Sequence, residues 1–414
     1  TPLAFNFNAV AKSLADAVVV PAGYTASVLY RLGDPITNDV PAYKNDGTDA
    51  AATYDRRAGD HHDGMTFFGA SSADKWDAAA TARGLLVMNH EYVNPPLHPS
   101  GKIDQSKPRP LAEVRKEQAA HGVSVIEVKK GADGQWQRVM DSPYNRRISM
   151  LTPMRIAGPL AGHAVMKTAS DPAGLEVLGT LNNCATGVTP WGTFLTCEEN
   201  WPNYFINRDK ADFEARVSHK RYGLAKEGTS KNYAWETADP RFDATPYADQ
   251  PHGGHVNEPH RFGWVVEIDP FDPQAQPIKR TAFGRFSREC AALSLGKDGR
   301  MAFYSGDDAK GEYIYKFVPA GRFDAADPKA ARNLLDEGTL YVARLNDDGS
   351  GQWLALVPGN QPVFRASLSC IQAAAYALLA WRAAPLGDWH AGYIDLRACL
   401  VLVAGSWLGI QLTS

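Results

Sequence analysis

The chain has 414 residues, with 43 Lys+Arg against 46 Asp+Glu for a net charge of -3, and 44% of its residues are hydrophobic. That near-neutral balance, without a long basic run, lacks the electrostatic footprint of a nucleic-acid binder, and no run of about 20 apolar residues offers a membrane span. Five cysteines, an odd number with no CxxC pair, supply neither a disulfide framework nor a zinc motif and leave open a single functional thiolate. The length suits roughly two to four domains, or one long closed β architecture. The first residues, Thr1 to Ala4, do not form a charged and then apolar leader, so any export signal is expected to have been removed.

Turn chemistry dominates, with 36 Gly and 27 Pro separating short runs of Val, Ile, Leu, Tyr, Phe and Trp, which is the pattern of a mostly β chain. The apolar run 85–88 ends in Asn89, His90, Glu91 and Tyr92. A carboxylate at the end of a buried strand is held by rigid backbone, which suits a metal ligand; a half-exposed Glu in a turn reads equally well. Residues 109–120 carry the one helical period, and Glu113, Arg115, Lys116 and Glu117 predict a short solvated helix. Residues 122–130 alternate, 131–134 supply a Gly-rich turn and 135–140 return, which predicts a hairpin. Arg146 and Arg147 could clamp an anion, although a surface pair is the commoner use of such residues.

Residues 181–200 (LNNCATGVTPWGTFLTCEEN) are the most informative. Asn182, Asn183 and Cys184 precede a Gly/Pro turn, and a short strand then delivers Glu198, Glu199 and Asn200. Consecutive carboxylates on a strand point to opposite faces unless the backbone turns, and paired inward charges are costly without a cation. A Cys184 thiolate beside carboxylates would suit ferric iron or zinc next to calcium; otherwise Cys184 and Cys197 are small buried hydrophobes. The polar stretch 207–260 is expected to lie over one face as an insertion. His61, His62, His252, His255 and His260 fit no zincin spacing and read as loop or supporting groups. Residues 264–269 with 278–283, and 342–346 with 352–356, repeat the hairpin pattern, and such recurrence favours propeller blades. Residues 286–290 (FSREC) place Arg288 and Glu289 before an apolar run, and 304–308 (YSGDD) end a strand on Asp307 and Asp308. No Walker, Rossmann or G-x-S-x-G signature is present. After about Phe364 the composition turns to Ala, Leu and Trp without hairpin punctuation; this tail holds Cys370 and Cys399, and its run 398–414 is too short to span a bilayer comfortably.

Taken together, residues 20–29 (VPAGYTASVL), 62–68 (HDGMTFF), 89–92, 151–154 (LTPM), 182–200, 257–270, 284–289 and 305–317 resemble the PhoX family of bacterial alkaline phosphatases. The resemblance implies an all-β chain, a β-propeller with long loop insertions, exported folded by the twin-arginine route to the periplasm or beyond. It implies a Ca²⁺ and Fe³⁺ centre that clamps phosphoryl oxygens and furnishes an oxygen nucleophile, with Cys184 as the iron ligand and Glu91, Glu199 and Glu289 as carboxylate ligands. Glu198, Asp307 and Asp308 are looser ligand candidates, and Asn200 and Arg288 are the expected substrate-contacting residues. The expected substrates are phosphate monoesters, with no nucleic acid or membrane partner, and a monomer is expected. Arg288, Cys290 and Thr186 depart from the family, which usually has His, Gly and Gly there. The resemblance ends near Phe364, so residues 1–364 are expected to form an incomplete propeller and 365–414 a tail that reads as out of frame, which makes the activity of this chain a separate question from that of the family. Two other readings stay open: a calcium-dependent propeller esterase or lactonase, which has no use for a thiolate, and a non-catalytic propeller that presents loops to a partner.

Overall fold

The computed structural model describes residues 7–72 and 75–357; the tail from 365 and the boundary at 364 lie outside the described residues. The chain is mostly β, in three sheets taken in sequence order. The first contains β1 (His62–Ser72), β2 (Lys75–Trp76), β3 (Arg83–His90), β4 (Gly122–Lys130), β5 (Trp136–Arg138) and β6 (Arg146–Ile148), in the order β2-β1-β3-β4-β5 with β6 also on β4. The second contains β7 (Pro153–Ala157), β8 (Glu176–Leu178), β9 (Asn183–Val188), β10 (Phe194–Glu198), β11 (Val265–Ile268) and β12 (Ile278–Arg280), in the order β8-β7-β12-β11-β10-β9. The third is a meander of β13 (Arg288–Leu295), β14 (Met301–Asp307), β15 (Ile314–Pro319), β16 (Gly338–Leu345) and β17 (Gly351–Ala355).

All three predicted hairpins form. Lys130 pairs with Trp136 across the β4–β5 turn, Val265 with Arg280 in β11–β12, and Arg344 with Gln352 in β16–β17. Alternation in β4 does not leave one face in water, because Val123 to Val128 are all buried. Its polar residues are instead partnered: Ser124 Oγ meets His90 Nε2 at 2.9 Å, and Glu127 accepts from Arg83 Nε at 2.5 Å. Buried polar groups satisfied in this way let a strand be covered on both sides.

The sheets approach one another through glycines. A Cβ on Gly64 of β1 would lie 2.6 Å from the Cys184 carbonyl oxygen of β9, and one on Gly187 of β9 would lie 2.0 Å from the Ala291 carbonyl oxygen of β13. Only a residue without a side chain permits either contact. Asn89 ties the first two sheets further, donating from Nδ2 to the Cys184 carbonyl at 2.5 Å and accepting from Thr196 Oγ1 at 2.9 Å.

Three expectations are corrected here. The chain also has helices, α1 (Leu111–Ala120), α2 (Lys210–Ala215) and α3 (Val217–Tyr222), and α1 is not solvated, since Lys116, Glu117 and Gln118 are buried. Glu117 is held by His98 Nε2 at 2.7 Å, Arg109 Nη2 at 2.5 Å and Trp235 Nε1 at 2.7 Å, and these bonds are what permit a carboxylate there. Arg146 and Arg147 neither clamp an anion nor form a surface pair. Arg147 is buried and donates to the carbonyls of Val123, Tyr54, Arg57 and His121, while Arg146 reaches those of Asp269 and Pro270. The polar insertion between β10 and β11 does more than cover a face, since its Phe205, Phe213, Trp235 and Phe242 join Phe68, Val87 and Val125 in the largest core.

Candidate metal centre

Three chain segments far apart in sequence bring their side chains together where the sheets meet. Cys184 lies on β9, Glu199 follows the last residue of β10, and Glu289 lies at the start of β13; one ligand atom from each falls within 4.8 Å of the other two. Local backbone fixes each of them. The Glu199 N–H donates to the Asn182 carbonyl at 3.0 Å, which carries the β9–β10 pairing one residue past Glu198, so strand alternation sets Glu199 opposite to Glu198. The β13–β14 register shifts between Glu289 and Ala292, and Cys290 sits at φ 58°. Glycine adopts that left-handed conformation without strain, whereas a side chain there costs about 1 kcal/mol or more. At the other departure, Thr186 is accommodated by donating from Oγ1 to the Leu195 carbonyl at 2.8 Å.

The electrostatics single out the same place. Burial first, then the carboxylates of Glu289 and Glu199, push the Cys184 thiol well above its usual range. Glu199 is likewise pushed well up by burial and by Glu289, Glu91 and Asp308, and it shares a hydrogen bond with Asp308. Glu289 is pushed up to about 8 by burial, then by Asp308, Asp63 and Glu91. Glu91 is pushed up to about 7 by burial, then Asp63 and Asp308. No Lys, Arg or His is among the groups acting most strongly on these four. A buried thiol and a group of carboxyls that raise one another are what a cation would stabilise. Sulfur with several oxygens fits a transition metal beside a hard ion.

Cys184, Glu199 and Glu289 therefore converge, and Glu91 and Asp308 lie near enough to raise them; three residues from the sequence reading stand apart. Glu198 is turned to the opposite side and spent on structure. Its Oε1 accepts from Lys279 Nζ at 2.7 Å, and its Oε2 accepts from the N–H of Gly263 at 2.9 Å and of Trp264 at 3.1 Å. Arg288 alternates with Glu289 and points into the core, donating to Ser305 Oγ at 2.5 Å and to the carbonyls of Phe283 and Gly284 at 2.7 and 2.8 Å. Its guanidinium lies 3.9 Å from the Phe286 ring centroid, which leaves it no reach toward a substrate. Asp307, opposite Arg288 in the β14 register, accepts from the Ala309 N–H at 3.1 Å and answers to Glu312 and Arg221 rather than to the cluster.

Sequence reasoning missed Asp63. It sits beside Gly64 on β1, is raised by burial, and adds to the field on Glu91, Glu289 and Cys184. The signal was the HDGM run, where the glycine permits the close approach of β1 to Cys184. Asn200 lines a cavity of about 320 Å³ that opens beside Glu91. A chain of buried bonds fixes its backbone. His121 Nδ1 donates to the Glu117 carbonyl at 2.7 Å, so Nε2 accepts from Tyr204 Oη at 2.9 Å. Tyr204 Oη then accepts from Asn182 Nδ2 at 3.2 Å, and Asn182 Oδ1 accepts from the Asn200 N–H at 2.7 Å. Asn182 holds φ 48°, a left-handed conformation that Asn tolerates better than most residues.

Sheets that meet over a buried thiol and carboxylates define a mostly β protein with a candidate metal centre. The chain belongs to the PhoX alkaline phosphatase family: the family model described as "Alkaline phosphatase PhoX" matches residues 5–384, past the boundary at 364. Among solved structures it is similar to Pseudomonas fluorescens PhoX in complex with vanadate, a transition state analogue, with 44% sequence identity and a TM-score of 0.77. That match covers 86% of this chain and 59% of the other, so this chain spans well under two thirds of that protein's length. No curated protein matches the chain. Among the described residues no helix is long and apolar enough to cross a membrane.

Proposed function

We propose that this chain is an extracytoplasmic alkaline phosphatase that hydrolyses phosphate monoesters, with Ca²⁺ and Fe³⁺ held by Cys184, Glu199, Glu289, Glu91, Asp308 and Asp63. The observation that carries the proposal is the meeting of Cys184, Glu199 and Glu289 within 4.8 Å, in a field of further carboxylates that raises each of them. When bound, such ions supply charge neutralisation for the phosphoryl oxygens as they pass through the transition state. Cys184 provides the soft donor, the carboxylates provide the hard donors, and burial keeps competing water out. Asn200, next in sequence to Glu199 and part of the cavity lining, is the residue whose amide would donate to a non-bridging phosphoryl oxygen, and the Asn182–Tyr204–His121 chain supports this by holding its backbone. A relative at 44% identity that takes up vanadate as a transition-state analogue supports phosphoryl transfer as the reaction class. The sulfur is the feature that a calcium-only lactonase has no use for.

The three sheets are read as propeller blades, with β1, β9 and β13 toward the centre, because the Gly64 and Gly187 contacts bring those strands against one another. Twin-arginine export, a periplasmic or secreted location and a monomeric state come from the family resemblance. The test is p-nitrophenyl phosphate hydrolysis by the purified chain, before and after chelation and with Ca²⁺ and Fe³⁺ returned. Turnover that is lost and then restored supports the reading. Turnover indifferent to chelation, or hydrolysis of lactones in place of phosphate esters, overturns it.

A further inference from the structure

We propose that the cavity beside Glu91 receives the leaving group of the phosphate ester, and that Lys231 selects leaving groups carrying a second anionic group; this rests on the phosphatase reading above. The cavity, about 320 Å³, is at the small end of ligand sites, which run to roughly 300–1,000 Å³, so it fits a leaving group of few atoms. The lining includes Glu91, whose carboxyl acts on the metal centre, and Lys231 is its lone basic residue. An ester whose phosphoryl group lies at the cluster would therefore place its leaving group in a cavity that an ammonium also lines.

The walls divide into two sets. Tyr233 and Asn182 are committed to the protein: the Tyr233 hydroxyl meets both the N–H and the carbonyl of Val93 at 3.1 Å, and Asn182 belongs to the chain that fixes Asn200. They form a rigid floor. Gln105, Asn200, Asn203 and Lys231, by contrast, line the same cavity and have no side-chain hydrogen bond or ion pair among the described residues. Amide groups so placed accept and donate to hydroxyls, and an ammonium attracts a carboxylate or a second phosphate. The combination favours small, oxygen-rich, doubly anionic esters over those with a plain alkyl or aryl leaving group. Lys231 is exposed at the rim, so its replacement leaves the core intact.

The experiment uses phosphonates, whose carbon–phosphorus bond ester hydrolysis does not cleave, and reads equilibrium binding by calorimetry to the metal-replete full chain. The probes are 3-phosphonopropionate and propylphosphonate, compared in the parent, Lys231→Met and Lys231→Arg. The expected result is a preference of about fivefold for the carboxylated probe in the parent, abolished by Lys231→Met, largely kept by Lys231→Arg, with propylphosphonate unchanged throughout. Equal binding of the two probes by the parent, or a preference that survives Lys231→Met, overturns the inference while leaving the phosphatase reading standing. If neither phosphonate binds, the phosphatase reading fails and the inference falls with it.

Discussion

Replacing Glu198 by Ala tests the division between structural and metal-facing carboxylates. In the parent, Glu198 and Lys279 side chains are both fully buried and meet at 2.7 Å, while the other Glu198 oxygen takes two backbone N–H groups. The variant leaves an ammonium with the Arg261 carbonyl at 3.0 Å, the face of Phe262, 3.8 Å from its centroid, and the more distant charge of Glu258. Removing one member of a buried pair costs roughly 3–5 kcal/mol, and two orphaned N–H groups keep the loss at the upper part of that range. The loss should depend on pH. Burial already pushes Lys279 down to about 8, and without the carboxylate it falls further. A lysine lowered in the folded state binds fewer protons there than in the unfolded chain, so stability rises with pH between the two values, and the variant's window opens lower than the parent's. The deficit should therefore be smaller at about pH 9 than at about pH 6. Urea titrations followed by tryptophan fluorescence at both pH values, with metal content per folded molecule, provide the readout. A variant of near-parental stability that has lost bound metal would refute the reasoning and return Glu198 to the ligand set.

Removing metal should invert the usual pH response. Glu289 and Glu91, raised to about 8 and about 7, hold protons in the metal-free folded state that the unfolded chain has released, so apo stability should fall by several kcal/mol as pH rises from about 5 to about 8. Added cations should restore most at the alkaline end, as urea midpoints would show. Arg288→Met should cost roughly 3 kcal/mol through the stranded Phe283 and Gly284 carbonyls yet leave metal content intact; near-parental stability with loss of phosphate binding would restore Arg288 to the substrate site. Asn182→Leu should cost about 1–3 kcal/mol and weaken phosphate binding by releasing Asn200, whereas Asn182→Asp, which keeps the acceptor, should recover part of that affinity. Unchanged affinity in Asn182→Leu would remove Asn182 from the positioning role.

Much of the centre was legible because its carboxylates sit where strands end. Glu91 follows β3, Glu199 follows β10, Glu289 is the second residue of β13 and Asp308 follows β14, each marked by a neighbouring apolar run. The opposite facing of Glu198 and Glu199 follows from strand alternation, and the same rule applied to Arg288 and Glu289 would have sent Arg288 inward. What could not be read was long-range pairing. Glu198 finds Lys279 81 residues away, and Asn89 finds the Cys184 carbonyl 95 residues away. Asp63 carries no local mark except its glycine neighbour, and Glu117 looks solvated until Trp235 and Arg109 arrive to bury it. Lys231 lies in a polar insertion whose pattern carries no period, so only the folded cavity gives it a direction.

The most direct test of the central claim is X-ray absorption at the iron edge on the purified, metal-replete chain, with elemental analysis of the same sample and of Cys184→Ser. The account predicts bound iron with one sulfur neighbour, calcium alongside it, and loss of that sulfur signal together with most of the iron in the variant. Iron surrounded by nitrogen and oxygen alone, or a folded chain that retains neither ion, would contradict it.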